Sequence, residues 1–309
     1  MKLIRDLDQL PLQLQHGAVT IGNFDGVHSG HARLIERLRA RARELRGPSI
    51  AFTFDPHPIR LLRPDAAPPP LTWTDRKAEL LAELGVDAMI AYPTDHALLS
   101  LSPEDFFRRI ICQRLAARGM VEGPNFFFGR GRAGDVARLQ TLCEANHVAL
   151  DIVNPLTLGD DYISSSRVRL LIQEGDVAQA NELLTQPYRI RGLITHGAGR
   201  GSGIGFPTAN LEGIDTLLPK LGVYAGRALT PYGNWPAAIN IGPNPTFGED
   251  AVKVEVHLIE FRGTLYGLPL EVDIFARLRD IHPFASVAAL KQQLVQDVAA
   301  AIDVANGYE

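Results

Sequence analysis

The chain has 309 residues, 46% hydrophobic and 21% charged, with a formal net charge of −4. That length favours two domains, and the slightly acidic balance argues against a nucleic-acid partner, which selects a basic surface. Cys112 and Cys143 are too few for a disulfide framework, the charged start Met1-Lys2-Leu3-Ile4-Arg5-Asp6 lacks a signal-peptide core, and no apolar run spans a bilayer, so a cytoplasmic protein without a membrane partner is expected.

Residues 18–21 read as a short buried strand followed by a Gly-rich turn and a helix over 32–45, where Leu34, Ile35, Leu38, Ala42 and Leu45 recur at helical spacing. The arginines on that helix, Arg33, Arg37 and Arg41, read as a solvated face. A strand over 49–54 precedes a proline-rich loop over 64–70. A helix over 75–84 ends at Gly85, and a strand covers 88–92. Ser102-Pro103-Glu104 starts the next helix, with a capping residue before a first-turn proline. A helix over 135–145, a strand over 151–153 and helices over 165–174 and 176–184 complete this half. Strands alternating with helices predict an α/β domain with a parallel sheet covered on both faces.

The pattern changes at Gln186-Pro187. Five strands follow without long helices between them, over 188–195, 222–229, 237–241, 252–261 and 270–275. Val252-Lys253-Val254-Glu255-Val256-His257-Leu258 alternates apolar and polar residues, as a half-buried antiparallel strand does. The Gly/Pro turns between them predict a small β-barrel, and 286–302 an amphipathic terminal helix. Domains are therefore expected at 1–186 and 187–309.

Chemistry concentrates at two places. In Gly22-Asn23-Phe24-Asp25-Gly26-Val27-His28-Ser29-Gly30-His31, two histidines stand at a helix entrance, where backbone N–H groups attract phosphate. Alone, H-x-x-H is more often a core histidine pair beside a tight turn. Ser164 to Ser166 alone reads as an N-cap, Pro56-His57-Pro58 as a rigid strand exit, and Asn125 as a turn residue. The second place is the Gly-rich run 197–205 with Gly205-Phe206-Pro207-Thr208-Ala209-Asn210, followed later by Glu255. Alone it reads equally as a linker and a structural turn, and Glu255 as an exposed strand residue.

The first turn resembles the H-x-G-H signature of nucleotidyltransferases. With Phe24-Asp25-Gly26-Val27-His28 it is similar to the FMN adenylyltransferase module of prokaryotic bifunctional riboflavin kinase/FMN adenylyltransferases (FAD synthetases). Three further segments match in order: Thr53-Phe54-Asp55-Pro56-His57-Pro58, Asn125-Phe126-Phe127-Phe128-Gly129 with Gly134-Asp135, and Ile163-Ser164-Ser165-Ser166-Arg167-Val168-Arg169. The resemblance implies catalytic roles for His28 and His31. It implies nucleotide or FMN contacts for Asn23, Asp25, Gly26, Phe54, His57, Asn125, Ser165, Ser166 and Arg169. Val121-Glu122-Gly123-Pro124 departs from the commoner V-G-x before the D/N-F segment.

The second half resembles riboflavin kinase over nearly all of 188–303: G-F-P-T-A-N (205–210), G-V-Y-A (222–225), N-I-G-x-x-P-T-F (240–247), E-V-H-L (255–258) and L-R-D (278–280). It implies a six-stranded antiparallel barrel with a terminal helix. It also implies that Thr208, with Asn210 beside it, holds Mg²⁺ against the ATP phosphates, and that Glu255 is the general base for the ribityl hydroxyl. Gly205, Pro207, Thr208, Asn210 and Arg279 are the implied ATP or flavin contacts, and Ser202-Gly203 is a departure from the family pattern.

The implied activity is phosphorylation of riboflavin to FMN and adenylylation of FMN to FAD. The implied small-molecule partners are riboflavin, FMN and ATP; a weak homo-oligomer is compatible with the sequence. Rival readings are a descendant with one decayed site, or a flavin-binding regulatory protein without turnover. Retained Glu255 and both histidines argue against the second.

Overall fold

The structure is a computed structural model that describes residues 1–196, 200–244 and 249–308. It divides into two compact units, Met1–Pro68 with Trp73–Ser165, and Pro69–Thr72 with Ser166–Glu309.

The first unit runs β1 (Lys2–Ile4), β2 (Ala18–Ile21), α1 (Ser29–Leu45), β3 (Ser49–Asp55), α2 (Pro58–Leu62), α3 (Thr74–Glu83), β4 (Ala88–Pro93), α4 (His96–Leu99), α5 (Pro103–Phe106), β5 (Gly119–Glu122), α6 (Val136–Ala145), β6 (Ala149–Ile152) and a small hairpin, β7 (Thr157–Leu158) with β8 (Asp161–Tyr162). A π-helical stretch, Phe107–Arg114, continues α5. The sheet order is β1-β4-β3-β2-β5-β6, with parallel pairing throughout. Ala18, Val19, Ala51 and Phe52 are wholly buried, as a parallel sheet covered on both faces requires. One face packs Ala18, Ala51 and Met89 with Ile35 and Leu38 of α1 and Leu81 of α3. The other packs Val19, Phe52 and Ile90 with Phe107, Ile111 and Leu139. From β2 the chain adds β3 and β4 on one side, then crosses over to β5 and β6 on the other. Such a reversal opens a crevice at the carboxyl ends of the two central strands, here β2 and β5.

Sequence periodicity does not predict β1 or β5, which are three and four residues long. Strands this short carry too little pattern to register. The arginine face of α1 is also not simply solvated. Arg41 Nε and Nη2 donate to the Asp151 carboxylate at 2.7 and 2.8 Å, and Arg37 Nη2 joins them at 2.8 Å. Spacing along α1 gives no sign of this partner, because Asp151 lies 110 residues away on β6.

The second unit contains α7 (Ser165–Glu174), whose first residue belongs to the first unit, then α8 (Val177–Leu183), β9 (Tyr188–Thr195), α9 (Arg200–Ile204), β10 (Ala209–Glu212), β11 (Gly222–Thr230), β12 (Gly233–Asn244), β13 (Glu249–Leu258), β14 (Pro269–Arg279) and α10 (Val287–Asn306). The strands close into an antiparallel barrel in the order β10-β13-β12-β11-β14-β9. Its sixth strand, β10, begins inside the segment that reads as a turn. Val254, Val256, Ile239, Ile241 and Leu211 turn to the buried side, and the alternate positions face outward. The terminal helix packs Ala301 against Ala225 and Ile259, and Arg279 clasps Asp297 of that helix through Nε at 2.9 Å and Nη2 at 2.7 Å.

The helix α8 is stitched to the barrel by one amide. Asn181 Nδ2 donates to the carbonyls of Ile274 and Phe275 at 2.9 and 3.2 Å, and its oxygen accepts from Tyr188 N–H at 2.8 Å. A fragment of residues 166–309 should therefore melt at a higher temperature than one of residues 185–309, which lacks Asn181. Asn181→Leu in the longer fragment should cost about 1–3 kcal/mol, because it strands the Tyr188 N–H. Equal melting of both fragments would show that α7 and α8 add nothing to barrel stability.

Candidate active sites

The first candidate site begins where β2 stops. Gly22 N–H still bonds to Phe52 O at 3.0 Å, and the chain then turns through Phe24 (φ 46°), Gly26 (φ 81°) and Val27 (φ 42°). A β-branched residue at positive φ is rare and strained. Val27 holds it while wholly buried. The Thr53 hydroxyl donates to Asn23 O at 3.2 Å, and the Ser165 hydroxyl to Asp25 O at 2.8 Å, so the turn is tied on both sides.

This turn delivers His28 as the N-cap of α1 and His31 as its third residue. They cap each other: His31 N–H donates to His28 Nδ1, and His28 N–H to His31 Nδ1, both at 3.3 Å. It is a capping box built from imidazoles instead of hydroxyl and carboxylate. The helix therefore starts at Ser29, three residues before the apolar periodicity does. The rings stack with centroids 3.6 Å apart, and Phe24 meets His31 edge-on at 5.2 Å. A Cβ on Gly30 would lie 3.0 Å from His28 Nδ1, which explains the glycine between them.

The capping also determines the tautomer. Each Nδ1 accepts, so each ring carries its proton on Nε2 and has that N–H to offer a ligand. Burial holds His28 down at about 4, against a smaller upward pull from Asp25. Burial, then the charges of His28 and Lys77, hold His31 well below the usual range. Both imidazoles are thus neutral donors near pH 7.

Phe54 packs edge-on to Phe52 with ring centroids 5.5 Å apart. His57 is exposed and caps α2, its Nδ1 accepting from Ile59 N–H at 3.0 Å. Asn125 is exposed just after β5. Ser166 and Arg169 belong to the second compact unit.

Two residues give no functional signal in the sequence. Lys77 reads as an ordinary surface lysine but is 9% exposed on α3. Glu122 stands out only as a departure from pattern. It ends β5 at 1% exposure, and its Oε1 accepts from Ile21 N–H at 2.8 Å. The β2–β5 ladder pairs Ala18 with Gly119 and Val19 with Met120; beyond it, the Glu122 carboxyl takes over as acceptor. Burial raises this carboxyl well above its usual value, opposed by the Ile21 hydrogen bond.

The second candidate site is a row across the barrel. Asn210 on β10 lies opposite Glu255 on β13, which lies opposite Asn240 on β12. All three occupy outward positions and are half-buried. Asn244 Nδ2 donates to Glu255 Oε2 at 2.9 Å, and Asn240 Nδ2 donates to Asn244 Oδ1 at 3.3 Å. Both asparagines fall in the N-I-G-x-N stretch, where their residue type alone suggests no role. Thr208 is half-buried just before β10, and the exposed Pro207 carbonyl meets His257 Nδ1 at 2.7 Å. Gly205 has φ 93°. Arg279 is held by Asp297, as described above. Residues 197–199 of the Gly-rich run and Pro245-Thr246-Phe247 lie outside the described residues.

Comparison with known proteins gives two family matches, FAD synthetase over residues 11–167 and riboflavin kinase over residues 184–305. Among similar proteins are bifunctional riboflavin kinase/FMN adenylyltransferases from Pseudomonas fluorescens, 36% identical over 97% of both chains, and from Escherichia coli K12, 36% identical over 96% of both. One from Bacillus subtilis is 34% identical over 92% of this chain and 91% of its own. A crystal structure described as a macrolide-efflux protein from Streptococcus pneumoniae superposes with TM-score 0.85 at 27% identity, covering 97% of each chain.

The Glu122 carboxyl makes stability depend on pH. Its folded pKa lies above the ordinary 4.5, so its contribution is fully present below that value and is lost as pH rises through the folded one. Glu122→Gln stays neutral at every pH and keeps an oxygen for Ile21 N–H. It should be more stable than the parent at about pH 8, with the gap closing towards about pH 5. Identical melting temperatures at both pH values would refute this.

Proposed function

The chain belongs to the bifunctional riboflavin kinase/FMN adenylyltransferase family, and from that premise we propose how its residues divide the two reactions. The enzyme transfers a phosphoryl group from ATP to riboflavin, giving FMN, and an adenylyl group from ATP to FMN, giving FAD and pyrophosphate. We assign residues 1–186 to adenylyl transfer and 187–309 to the kinase, with α7 and α8 packed against the barrel as the connection.

In adenylyl transfer, His28 and His31 donate their Nε2–H groups to the nucleotide phosphates as charge develops on them. The observation that carries this assignment is the reciprocal cap, which leaves two neutral N–H donors at the carboxyl end of β2. No proton need move, since an FMN phosphate oxygen is already a nucleophile; donors positioned in advance lower the barrier. Asn23, Asp25, Gly26 and Ser165 shape the floor, and Phe54 near the end of β3, His57 after β3 and Asn125 after β5 lie towards the carboxyl ends of their strands. Ser166 and Arg169 are assigned to the triphosphate on the sequence resemblance.

In the kinase, Glu255 takes the proton of the ribityl hydroxyl. Asn244 holds Oε2, and Oε1 has no hydrogen bond among the described residues, so it is the oxygen assigned to receive that proton. Mg²⁺ suits this end of the barrel, because Thr208 and Asn210 offer hard oxygen donors and the His257 imidazole is turned to Pro207 O. Once bound with ATP, the ion neutralises phosphate charge. Gly205 and Pro207 shape the ATP approach, and Arg279, anchored to Asp297, is assigned an ATP or flavin contact on the sequence resemblance alone.

No described helix is long and apolar enough to cross a membrane, and both cysteines are free thiols. On the sequence reading, the proposal is a cytoplasmic enzyme of small-molecule substrates, without a nucleic-acid partner and compatible with weak self-association.

Glu255→Gln should lower FMN formation from riboflavin by about 10²–10⁴-fold while FAD formation from supplied FMN persists. Near-parental kinase turnover would remove Glu255 as the base. Replacing His28 and His31 together with Ala should reverse the pattern, reducing FAD synthesis by at least about 10²-fold with kinase activity retained. Equal loss of both activities in a folded variant would contradict two independent sites.

A further inference from the structure

Lys77 stands outside the residues assigned so far. Thr74, the first residue of α3, donates its hydroxyl to Asp55 Oδ2 at 2.6 Å. This pins the helix start to the end of β3, the strand beside β2. Lys77 follows one turn later, its N–H bonded to Trp73 O at 2.9 Å. The residue is 9% exposed. Asp25 on the histidine turn and Asp55 on β3 both act on its charge, and its own charge reaches His31 on α1.

A lysine this buried ordinarily ends in an ion pair. Among the described residues, the attraction of the Asp25 and Asp55 charges is what acts on the Lys77 ammonium, and neither carboxylate forms a salt bridge with it within 4.0 Å. Asp55 is already engaged by Thr74 and by Arg5 at 3.6 Å. The neighbouring imidazoles are neutral, so they bring donors but no full charge to a site that must hold a polyanion. A desolvated ammonium beside them supplies what they lack.

We propose that Lys77 is a catalytic phosphate-binding residue of the adenylyl-transfer site, its ammonium donating to a phosphate oxygen beside His31. The proposal rests on the histidine assignment above. In the step it serves, an FMN phosphate oxygen forms a bond to the α-phosphorus of ATP. The bond from that phosphorus to the bridging oxygen breaks, and pyrophosphate leaves with the electron pair. Lys77 donates a hydrogen bond throughout and gives up no proton.

The test uses the full chain. Lys77→Met keeps length without charge, and Lys77→Arg keeps charge. FAD synthesis, riboflavin phosphorylation and melting temperature are measured on each, beside the His28/His31 double variant. Lys77→Met should lose about 10²-fold in kcat for FAD synthesis, with kinase activity unchanged and part of the loss restored in Lys77→Arg. The acid limb of its pH profile should move to higher pH, because His31 has lost a cation that lowers its pKa. A folded Lys77→Met that retains a third or more of FAD synthesis, while the histidine variant is inactive, overturns the proposal. An active histidine variant would instead overturn the site assignment beneath it. If Lys77→Met does not fold, reductive methylation of the parent protein, read by mass spectrometry, decides. Protection of Lys77 by pyrophosphate assigns it to ATP and protection by FMN to the acceptor phosphate; protection by neither overturns the proposal.

Discussion

The mutual cap between His28 and His31 is the constraint from which the candidate adenylyl-transfer site follows. The N–H groups of His28 and His31 each meet the other residue's Nδ1, and His31 N–H also donates to His28 O at 2.8 Å. The same contact that starts the helix therefore fixes both rings, sets both tautomers and aims both Nε2–H groups away from the backbone. Its consequences run backwards along the chain. The rings stack closely enough that a side chain at position 30 would collide with His28. The preceding turn must bend through positive φ at Phe24, Gly26 and Val27 to deliver the cap. Strain of this kind persists only where the surroundings over-determine it, and here the Thr53 and Ser165 hydroxyls hold the turn from either side.

Desolvation governs the chemistry around that cap. Buried imidazoles lose their charge, the buried Glu122 carboxyl favours its proton, and the Lys77 ammonium is weakened. The proposed phosphate site benefits from the first two, since an ionised Glu122 at the switch point would repel a triphosphate. The Glu122 departure from the commoner sequence thus has a physical account: its carboxyl, whose proton burial favours, extends the hydrogen bonding of β5 where the ladder ends.

The candidate kinase site is organised differently. Among the described residues, strand register brings its polar groups together. Asn210, Glu255 and Asn240 are neighbours because three antiparallel strands are paired in one register, and a slip of one residue would turn Glu255 into the barrel interior. Asn244 then fixes one carboxylate oxygen. The Arg279–Asp297 clasp acts at a distance from this row, holding the terminal helix that covers Ala225 and Ile259.

Much of this is legible in the order of residues. Alternating strands and helices, then successive strands, separate an α/β half from a barrel, because periods of 3.6 and 2 are local properties of the chain. His28, His31, Thr208, Asn210 and Glu255 stand in local patterns that resemble the family's motifs, and that resemblance, not the residue types alone, points to phosphate chemistry. Short strands such as β1, β5 and β10 are not legible from periodicity, since three or four residues take their identity from the strands beside them. The same limit hides Asp151 between Arg37 and Arg41, Asn181 as the tie between α8 and the barrel, and the burial of Glu122 and Lys77. A lysine or glutamate looks alike in sequence whether water or protein surrounds it. Only packing residues far apart in the chain removes the water, and that desolvation gives these groups their altered chemistry.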